Sequence, residues 1–429
     1  MSHAEHLKTS IRSGAYDKIF TTLYGEAALA AQYDRYCNAI DAFTARYGDR
    51  ACMLFSVPGR SEISGNHTDH NHGKVIAAAI DLDIIAVAAK TDDGIITVES
   101  EGFPADTVDT ARIAVDPARF FHSDAIIAGT CDGFTKRGLQ VGGFVAYTTS
   151  NVFKGSGLSS SAAFEVMIGN ILSHFYNDGK VEAPELAKIG QYAENVFFGK
   201  PCGLMDQTAC AVGSFVTIDF KDPTAPIIEK LAFDLSGAGY ALCIVNTGGN
   251  HADLNDDFAS IPAEMKAVAA ALGHTVLREA SYAELLPQIP ALREKVGDRA
   301  ILRAIHFFFE NERVEKQAQA LREGDLDTFF AGALASGASS FRYLQNVYTV
   351  KNVKEQGLSL ALAISEQVLA GKRAAYRVHG GGFAGTIQAF VPVAEVPVYA
   401  KAMDAVFGDG ACHVLSIRPY GAICTSKLQ

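Results

Sequence analysis

Gly155-Ser156-Gly157-Leu158-Ser159-Ser160-Ser161-Ala162-Ala163 is a glycine-rich turn that runs into a helical pattern. From Phe164 to Phe175 apolar residues recur at three- and four-residue spacing, as on a helix face that packs against a core. The N–H groups of such a turn converge, and the helix N-terminus adds partial positive charge, so an anion is favoured there. The stretch predicts a phosphate-binding loop; the alternative is a serine-rich cap on an ordinary helix. It is not a Walker-type loop, because no Lys-Ser/Thr follows the glycines.

Composition limits the classes of protein and partner. The chain has 429 residues, 48% of them hydrophobic, enough for two or three domains with a large core. A formal charge of -11 argues against binding nucleic acid or an anionic membrane, but not against a nucleotide. The eight cysteines include no C-x-x-C pair, and no signal peptide or membrane-length apolar run is visible. We therefore expect a cytoplasmic protein with free thiols, a monomer or small homo-oligomer that binds small molecules.

Apolar runs and helical periodicity alternate along the chain and predict a mixed α/β (α+β) protein. A short buried strand over 53–57 ends in a predicted turn at Pro58-Gly59, and a helix is expected over 156–176. Helices dominate after residue 261. A polar, proline-bearing stretch at 219–226 predicts a domain boundary that divides the chain into residues 1–225 and 226–429.

Residues 59–73 form a polar cluster between two apolar runs. Three histidines and an aspartate within six residues admit a metal site, but no matching His/Cys pair has the spacing of a zinc motif. The alternative is a hydrogen-bonding loop for a polyhydroxylated ligand, because Arg, Asn, His and Asp together supply donors and acceptors.

Two more glycine-punctuated segments carry candidate chemistry. Asp206 lies in Cys202-Gly203-Leu204-Met205-Asp206-Gln207, where it is a candidate base or a helix N-cap. The run His379-Gly380-Gly381-Gly382-Phe383-Ala384-Gly385 separates two short strands and permits close backbone approach.

These segments together resemble a known family. Residues 58–73 are similar to the galactokinase signature P-G-R-x-N-L-I-G-E-H-T-D-Y-N, and the Asp206 segment is similar to the galactokinase loop C-G-I-M-D-Q. Residues 155–162 and 380–385 resemble the second and third motifs of the GHMP small-molecule kinases. The four motifs occur in family order over residues 58–385, so the resemblance covers most of the chain.

The resemblance implies a two-domain GHMP kinase fold with the active site in the cleft between domains. Sugar and ATP would bind there, and the γ-phosphate would pass to the anomeric hydroxyl of the sugar. Asp206 would be the catalytic carboxylate, accepting or orienting the proton of that hydroxyl. Arg60 would lie beside it, holding Asp206 ionised and stabilising charge on the transferring group.

The resemblance also assigns the ligand contacts. Residues 155–161 and Gly381 would surround the nucleotide phosphates. Ser161 and Glu194 would bind Mg²⁺, although Glu194 alone could be a solvated charge on a helix face. The expected sugar contacts, besides Asp206, are Asn66, His67, Asp69, Gly203 and Phe258.

Departures from the signature leave the substrate open. The signature has Glu where this chain has Asn66 and Tyr where it has His70, and Phe258 takes the place of a sugar-contacting Tyr. Three hypotheses follow: galactose as the substrate, a sugar that differs at C6 such as galacturonate or arabinose, and a non-catalytic sugar sensor. An Asn66 facing C6 would accept a sugar carboxylate that Glu repels.

Overall fold

The computed structural model describes residues 2–153, 157–249 and 254–427, which form two sheets with helices packed on both. This confirms the mixed α/β class. The strands are β1 (Met53–Ser64), β2 (Lys74–Lys90), β3 (Ile95–Ser100), β4 (Asp106–Asp109), β5 (Phe144–Ser150), β6 (Phe215–Asp219), β7 (Ile227–Leu231), β8 (Tyr240–Asn246), β9 (Ala375–Val378), β10 (Thr386–Pro392), β11 (Cys412–Leu415) and β12 (Ile423–Cys424).

The helices begin before the first strand and cover both sheets. They are α1 (His3–Arg12), α2 (Asp17–Tyr24), α3 (Leu29–Tyr47), α4 (Ser123–Thr135), α5 (Ser160–Tyr176), α6 (Ala183–Tyr192), α7 (Met205–Val212), α8 (Asn255–Ala271), α9 (Tyr282–Lys295), α10 (Asp298–Glu323), α11 (Leu326–Ser339), α12 (Gly357–Val368) and α13 (Val396–Phe407). A π-helical turn, Ala193–Phe198, continues α6 towards α7. None of the described helices is both long and apolar enough to cross a membrane.

The first sheet has eight strands and is organised by the long hairpin of β1 and β2. β2 pairs with β1 on one side, and on the other with β6 along its first half and β5 along its second, in the order β12-β1-β2-β5-β3-β4. Its Val/Ile/Ala run buries both faces, because successive side chains point to opposite sides. Ala86 and Ala88 face the core under α4–α7, whereas Ile85 and Val87 face the core under α1–α3.

The second sheet has four strands, in the order β11-β8-β10-β9. In β8, Cys243 and Val245 pack with α12 and α13. Leu242 and Ile244 share a core with α10, α11 and the first half of β2. The two sheets are therefore joined by one hydrophobic core.

The expected turn at Pro58-Gly59 was wrong, because β1 continues through both residues to Ser64. The register shifts between Pro58 and Arg60, which marks a bulge, a position where a strand tolerates proline. At Gly59 an added Cβ would lie 2.7 Å from the carbonyl oxygen of Leu158, so glycine lets the strand pass close to the turn ahead of α5. The bulge thus places Arg60 on a strand beside that turn.

The predicted boundary between residues 225 and 226 falls inside the hairpin of β6 and β7, which pair along their whole length. Neither strand was predicted. β12 also pairs with β1, so the end of the described chain returns to the first sheet. The division into two domains remains a prediction. The strand pairings favour a division in which the chain passes from the first sheet to the second after β7 and returns to the first after β11. Helix α5 begins at Ser160 rather than near the expected residue 156.

Candidate active site

The centre of the site is a bidentate ion pair between Arg60 on β1 and Asp206 in the first turn of α7. Arg60 Nε and Nη2 each donate a hydrogen bond of 2.8 Å to one oxygen of the Asp206 carboxylate. The Arg60 side chain is 8% exposed and that of Asp206 is 34% exposed, so the carboxylate remains open to a ligand. Burial acts to raise the pKa of Asp206, but the charge and hydrogen bonds of Arg60 outweigh it and hold the pKa below its usual value.

The turn ahead of α5 lies against this pair. The Ser159 hydroxyl donates to the Asp206 carboxylate, and Arg60 Nη1 donates to the carbonyl oxygen of Gly157. Gly157 has a φ of +72°, as the predicted glycine-rich turn requires. Gly155 and Ser156, also predicted as phosphate contacts, lie outside the described residues.

Leu158 joins the turn only through its backbone. Its side chain is fully buried in the core shared by the two sheets, which leaves only its backbone for the predicted contact with the nucleotide phosphates. Its carbonyl oxygen accepts a 3.0 Å hydrogen bond from the N–H of Arg60. Leu158 therefore anchors the turn to β1.

An apolar cavity of about 530 Å³ opens beside the start of α5. Ser160 and Ser161, predicted as phosphate contacts, lie on its wall. The rest of the wall is rich in phenylalanine, with Phe103, Phe121, Phe164 and Phe198. This cavity was not predicted, because its lining residues come from six separate segments of the chain.

Two buried carboxylates lie behind the Asp206 loop. One amide group, Gln207 Nε2, donates to Glu165 at 2.9 Å and to Glu194 at 3.0 Å. Lys200 Nζ contacts the other oxygen of Glu194 at 2.9 Å. Burial and the neighbouring Glu194 charge raise the pKa of Glu165 well above its usual value.

Glu194 was predicted to bind Mg²⁺, and Glu165 was missed. Glu165 stands one helical turn after Ser161, a signal that was available in the sequence. Glu194 lies in the π-helical turn and is 4% exposed, which excludes the alternative of a solvated surface charge. In the described parts of the chain, no group of three or more His, Cys, Asp or Glu side chains could hold a metal by itself.

Asn66 does not face a ligand. It is fully buried, and its Nδ2 donates to Glu62 Oε1 at 2.8 Å and to the carbonyl oxygen of Gly380 at 2.7 Å. Its Oδ1 accepts a 2.6 Å bond from Asn346 Nδ2. The structure thus contradicts the prediction that Asn66 contacts the sugar, because its amide is already bonded within the protein.

The other signature residues lie between the Asp206 loop and the third glycine segment. His67 Nε2 lies 2.9 Å from the carbonyl oxygen of Gly381, and His67 itself has a positive φ of 58°. An added Cβ at Gly203 would lie 2.9 Å from Asp69 Oδ2, so that carboxylate borders the Asp206 loop. His70, by contrast, is exposed.

Gly381 and Phe258 are in contact with each other. An added Cβ at Gly381 would lie 2.6 Å from Phe258 Cε1, and the Phe258 ring meets Phe383 edge-on at 5.3 Å. Gly381 is thus a packing position against α8, a contact that the prediction of a phosphate role did not include. His379 was not predicted to belong to the site. Its buried Nδ1 lies 2.9 Å from Thr386 Oγ1. Burial, and after it the positive charges of Arg60 and Arg377, lowers the pKa of His379 to about 3.

Family models match the segments that carry Arg60 and Asp206. The galactokinase galactose-binding signature matches residues 41–90, and the GHMP kinase N-terminal domain matches residues 125–214. In fold, the chain is similar to a crystal structure of Lactococcus lactis galactokinase complexed with galactose, with a TM-score of 0.73 at 24% identity, covering 90% of this chain and 98% of the other. It is also similar to Methanococcus jannaschii mevalonate kinase, with a TM-score of 0.60 at 14% identity over 86% of this chain and 98% of that one.

The fold and the motif order define a GHMP kinase, as predicted. A galactokinase of Streptomyces coelicolor is 31% identical over 372 residues, 86% of this chain and 92% of that protein. One of Actinobacillus pleuropneumoniae serotype 3 is 30% identical over 83% of this chain and 90% of its own length. This chain belongs to the galactokinase family. It is an enzyme, a sugar kinase with ATP as co-substrate.

Proposed function

We propose that this chain transfers the γ-phosphoryl group of ATP to the anomeric hydroxyl of galactose. The observation that carries the proposal is the bidentate Arg60–Asp206 pair, in which the Asp206 side chain remains 34% exposed. The galactose-binding signature over residues 41–90 and the galactose complex of the Lactococcus lactis relative support that sugar. A sugar differing at C6, such as arabinose or galacturonate, is the alternative substrate.

In this mechanism Asp206 accepts the proton of the sugar hydroxyl or orients it as the phosphoryl group moves. A carboxylate does so only when ionised, and the neighbouring Arg60 favours that state. Arg60 also places a positive charge where the transferring group gains negative charge. Phosphoryl transfer depends mainly on such positioning and charge stabilisation.

ATP would lie along the N-terminus of α5. The phenylalanine-rich cavity suits the adenine ring, and residues 155–161 suit the phosphates, because helix N–H groups and serine hydroxyls favour anions. Ser161 and Glu194 supply hydroxyl and carboxylate oxygens, the donors that Mg²⁺ prefers. When bound, Mg²⁺ would offset the phosphate charge. In the structure the Lys200 ammonium group contacts Glu194, so the bound metal ion and Lys200 would share that carboxylate.

The sugar would bind between the two sheets, next to Asp206. His67, Asp69 and the backbone of Gly203 border this space, and Phe258 and Gly381 lie across it on the side of the second sheet. We propose the two-domain division with this cleft as the site, and a cytosolic monomer or small homo-oligomer. The eight cysteines are all free, which suits a reducing compartment.

The test is ADP release with galactose, arabinose and galacturonate, for the wild type and Asp206→Asn. The amide keeps the shape of the side chain but removes the base, so we expect turnover to fall by about 10²–10⁴-fold. Calorimetry should show that galactose still binds the variant. Asp178→Asn is the control, since that side chain is 81% exposed. Galactose binding without ADP release by the wild type would indicate a sensor and contradict the proposal.

A further inference from the structure

Glu62 and Asn66 have exchanged residue types relative to the galactokinase signature. The signature P-G-R-x-N-L-I-G-E has Asn at the position of Glu62 and Glu at the position of Asn66. In the structure the two side chains contact each other, with Asn66 Nδ2 donating to Glu62 Oε1 at 2.8 Å. One carboxylate and one amide are therefore present in both arrangements, in opposite order.

The carboxylate of Glu62 decides how the Asn66 amide is turned. An ionised carboxylate only accepts hydrogen bonds, so it selects the NH₂ end of the amide. The second N–H of that group then reaches the carbonyl oxygen of Gly380 at 2.7 Å, and Oδ1 is left to accept from Asn346 at 2.6 Å. Asn346 also donates to the carbonyl oxygen of Gly381 at 3.1 Å. Glu62 thereby fixes the third glycine segment through Asn66.

The negative charge of the signature is moved by this exchange, not lost. Glu62 lies two residues after Arg60 on the same strand and is 6% exposed. Arg377 Nη2, from β9, lies 3.5 Å from Glu62 Oε1. Burial raises the pKa of Glu62 above its usual value, while Arg377, the Asn66 amide and Arg60 favour the ionised form. Glu62 therefore keeps a carboxyl group two residues from Arg60, in a buried contact with Asn66 and Arg377.

We propose that Glu62 and Asn66 act as one exchanged acid–amide pair that holds the third glycine segment, so that turnover of galactose depends on having one acid and one amide at these two positions. Glu62 is a positioning residue in this view. The inference rests on the proposed sugar kinase function. It also removes the reason for expecting galacturonate, since Asn66 is turned away from the ligand.

The test is a double-mutant cycle with Glu62→Asn, Asn66→Glu and the combined exchange. Each single change gives two amides or two carboxylates in a buried contact that needs one of each. We expect each to lower kcat/KM for galactose by about tenfold or more, mainly through kcat. The combined variant restores the signature order. Its kcat/KM should be at least about tenfold higher than the value obtained by multiplying the two single losses. Glu62→Gln keeps the shape without the charge and should behave like Glu62→Asn.

Two outcomes would overturn the inference. One is a combined variant whose loss equals the product of the single losses, with additive shifts in thermal unfolding midpoint. The other is a Glu62→Gln variant with the kcat/KM and the unfolding midpoint of the wild type, because the pair would then not need its carboxylate. If the wild type phosphorylates no sugar, the proposed function fails instead. The unfolding midpoints of the cycle still test the pair in that case.

Discussion

At the scale of single residues, Arg60 sets the ionisation of Asp206. A folded pKa below the usual value means that Asp206 stays ionised as the pH falls through the ordinary carboxyl range, and is protonated only below it. Arg60→Ala removes the positive charge, so the pKa of Asp206 rises and the acidic limb of kcat/KM moves to higher pH. We expect kcat to fall as well.

A pH–rate profile from pH 4 to 9 measures this shift. Arg112→Ala is the control, because that arginine is 86% exposed and pairs with the surface residue Asp109. An acidic limb that stays in place in Arg60→Ala would contradict the role of Arg60.

Lys200 is a second residue that we expect to affect the Mg²⁺ dependence of activity, because it contacts Glu194. The Lys200 side chain is 54% exposed and Glu194 is 4% exposed, so the ion pair is partly screened. If Mg²⁺ uses Glu194, then Lys200→Met removes a competing cation. The Mg²⁺ concentration for half-maximal activity should fall by about two- to fivefold.

A Mg²⁺ titration at fixed ATP and galactose tests this expectation, together with ATP binding measured with Mg²⁺ and with EDTA. Lys180→Met, at a lysine that is 80% exposed, is the matched control. An identical Mg²⁺ dependence in Lys200→Met and the wild type would place the metal away from Glu194.

At the scale of elements, helix α8 presses on the third glycine segment through Phe258 and Gly381. An added Cβ at Gly381 would lie 2.6 Å from the Phe258 ring, so Gly381→Ala pushes α8 and the segment apart. We expect kcat/KM to fall by about tenfold or more, and Phe258→Leu to restore part of it in the double variant.

Steady-state kinetics of the single and double variants measure that rescue. Gly380→Ala is the matched control: a Cβ there meets nothing within 4 Å, but its φ of +65° strains any side chain. Phe258→Leu should leave the Gly380→Ala defect unchanged. Equal rescue of both glycine variants would mean that the ring contact is not the cause.

At the scale of the whole molecule, Arg418 ties the end of the described chain to the first sheet. Arg418 is 1% exposed, and its Nη1 donates to Ser56 at 2.8 Å and lies 3.2 Å from Asp83. Its Nη2 donates to the carbonyl oxygen of Gly421 at 2.7 Å. Arg418→Leu breaks a buried pair, and should lower the free energy of unfolding by about 3–5 kcal/mol.

Urea unfolding followed by circular dichroism measures the loss. Arg112→Leu, at an exposed arginine, should change the free energy of unfolding by less than about 1 kcal/mol. A similar loss in both variants would mean that the contacts of Arg418 do not stabilise the first sheet.

Much of the fold was predictable because local patterns report it. A short strand was predicted directly before the third glycine segment, and β9 ends there at Val378. β6 and β7 were missed. Much of β7 is exposed and its alternation is weak, so only pairing with β6 defines it as a strand. Pro58, which lies within β1, was predicted to begin a turn. The bulge that accommodates this proline is defined only by the pairing of β1 with β2, which the sequence does not show.

The sequence by itself determined the class of enzyme and predicted its central residues. Arg60, Asp206 and the serines around the start of α5 stand in motifs whose order and spacing can be recognised in the sequence, because their chemistry needs those residue types. Only the tertiary structure decided which polar groups meet. Asn66 bonds Glu62, Gly380 and Asn346, partners up to 280 positions away, so its role could not follow from the signature. The physical reason is that burial leaves each hydrogen-bonding group only the partners that packing brings to it, and those partners fix its orientation and charge.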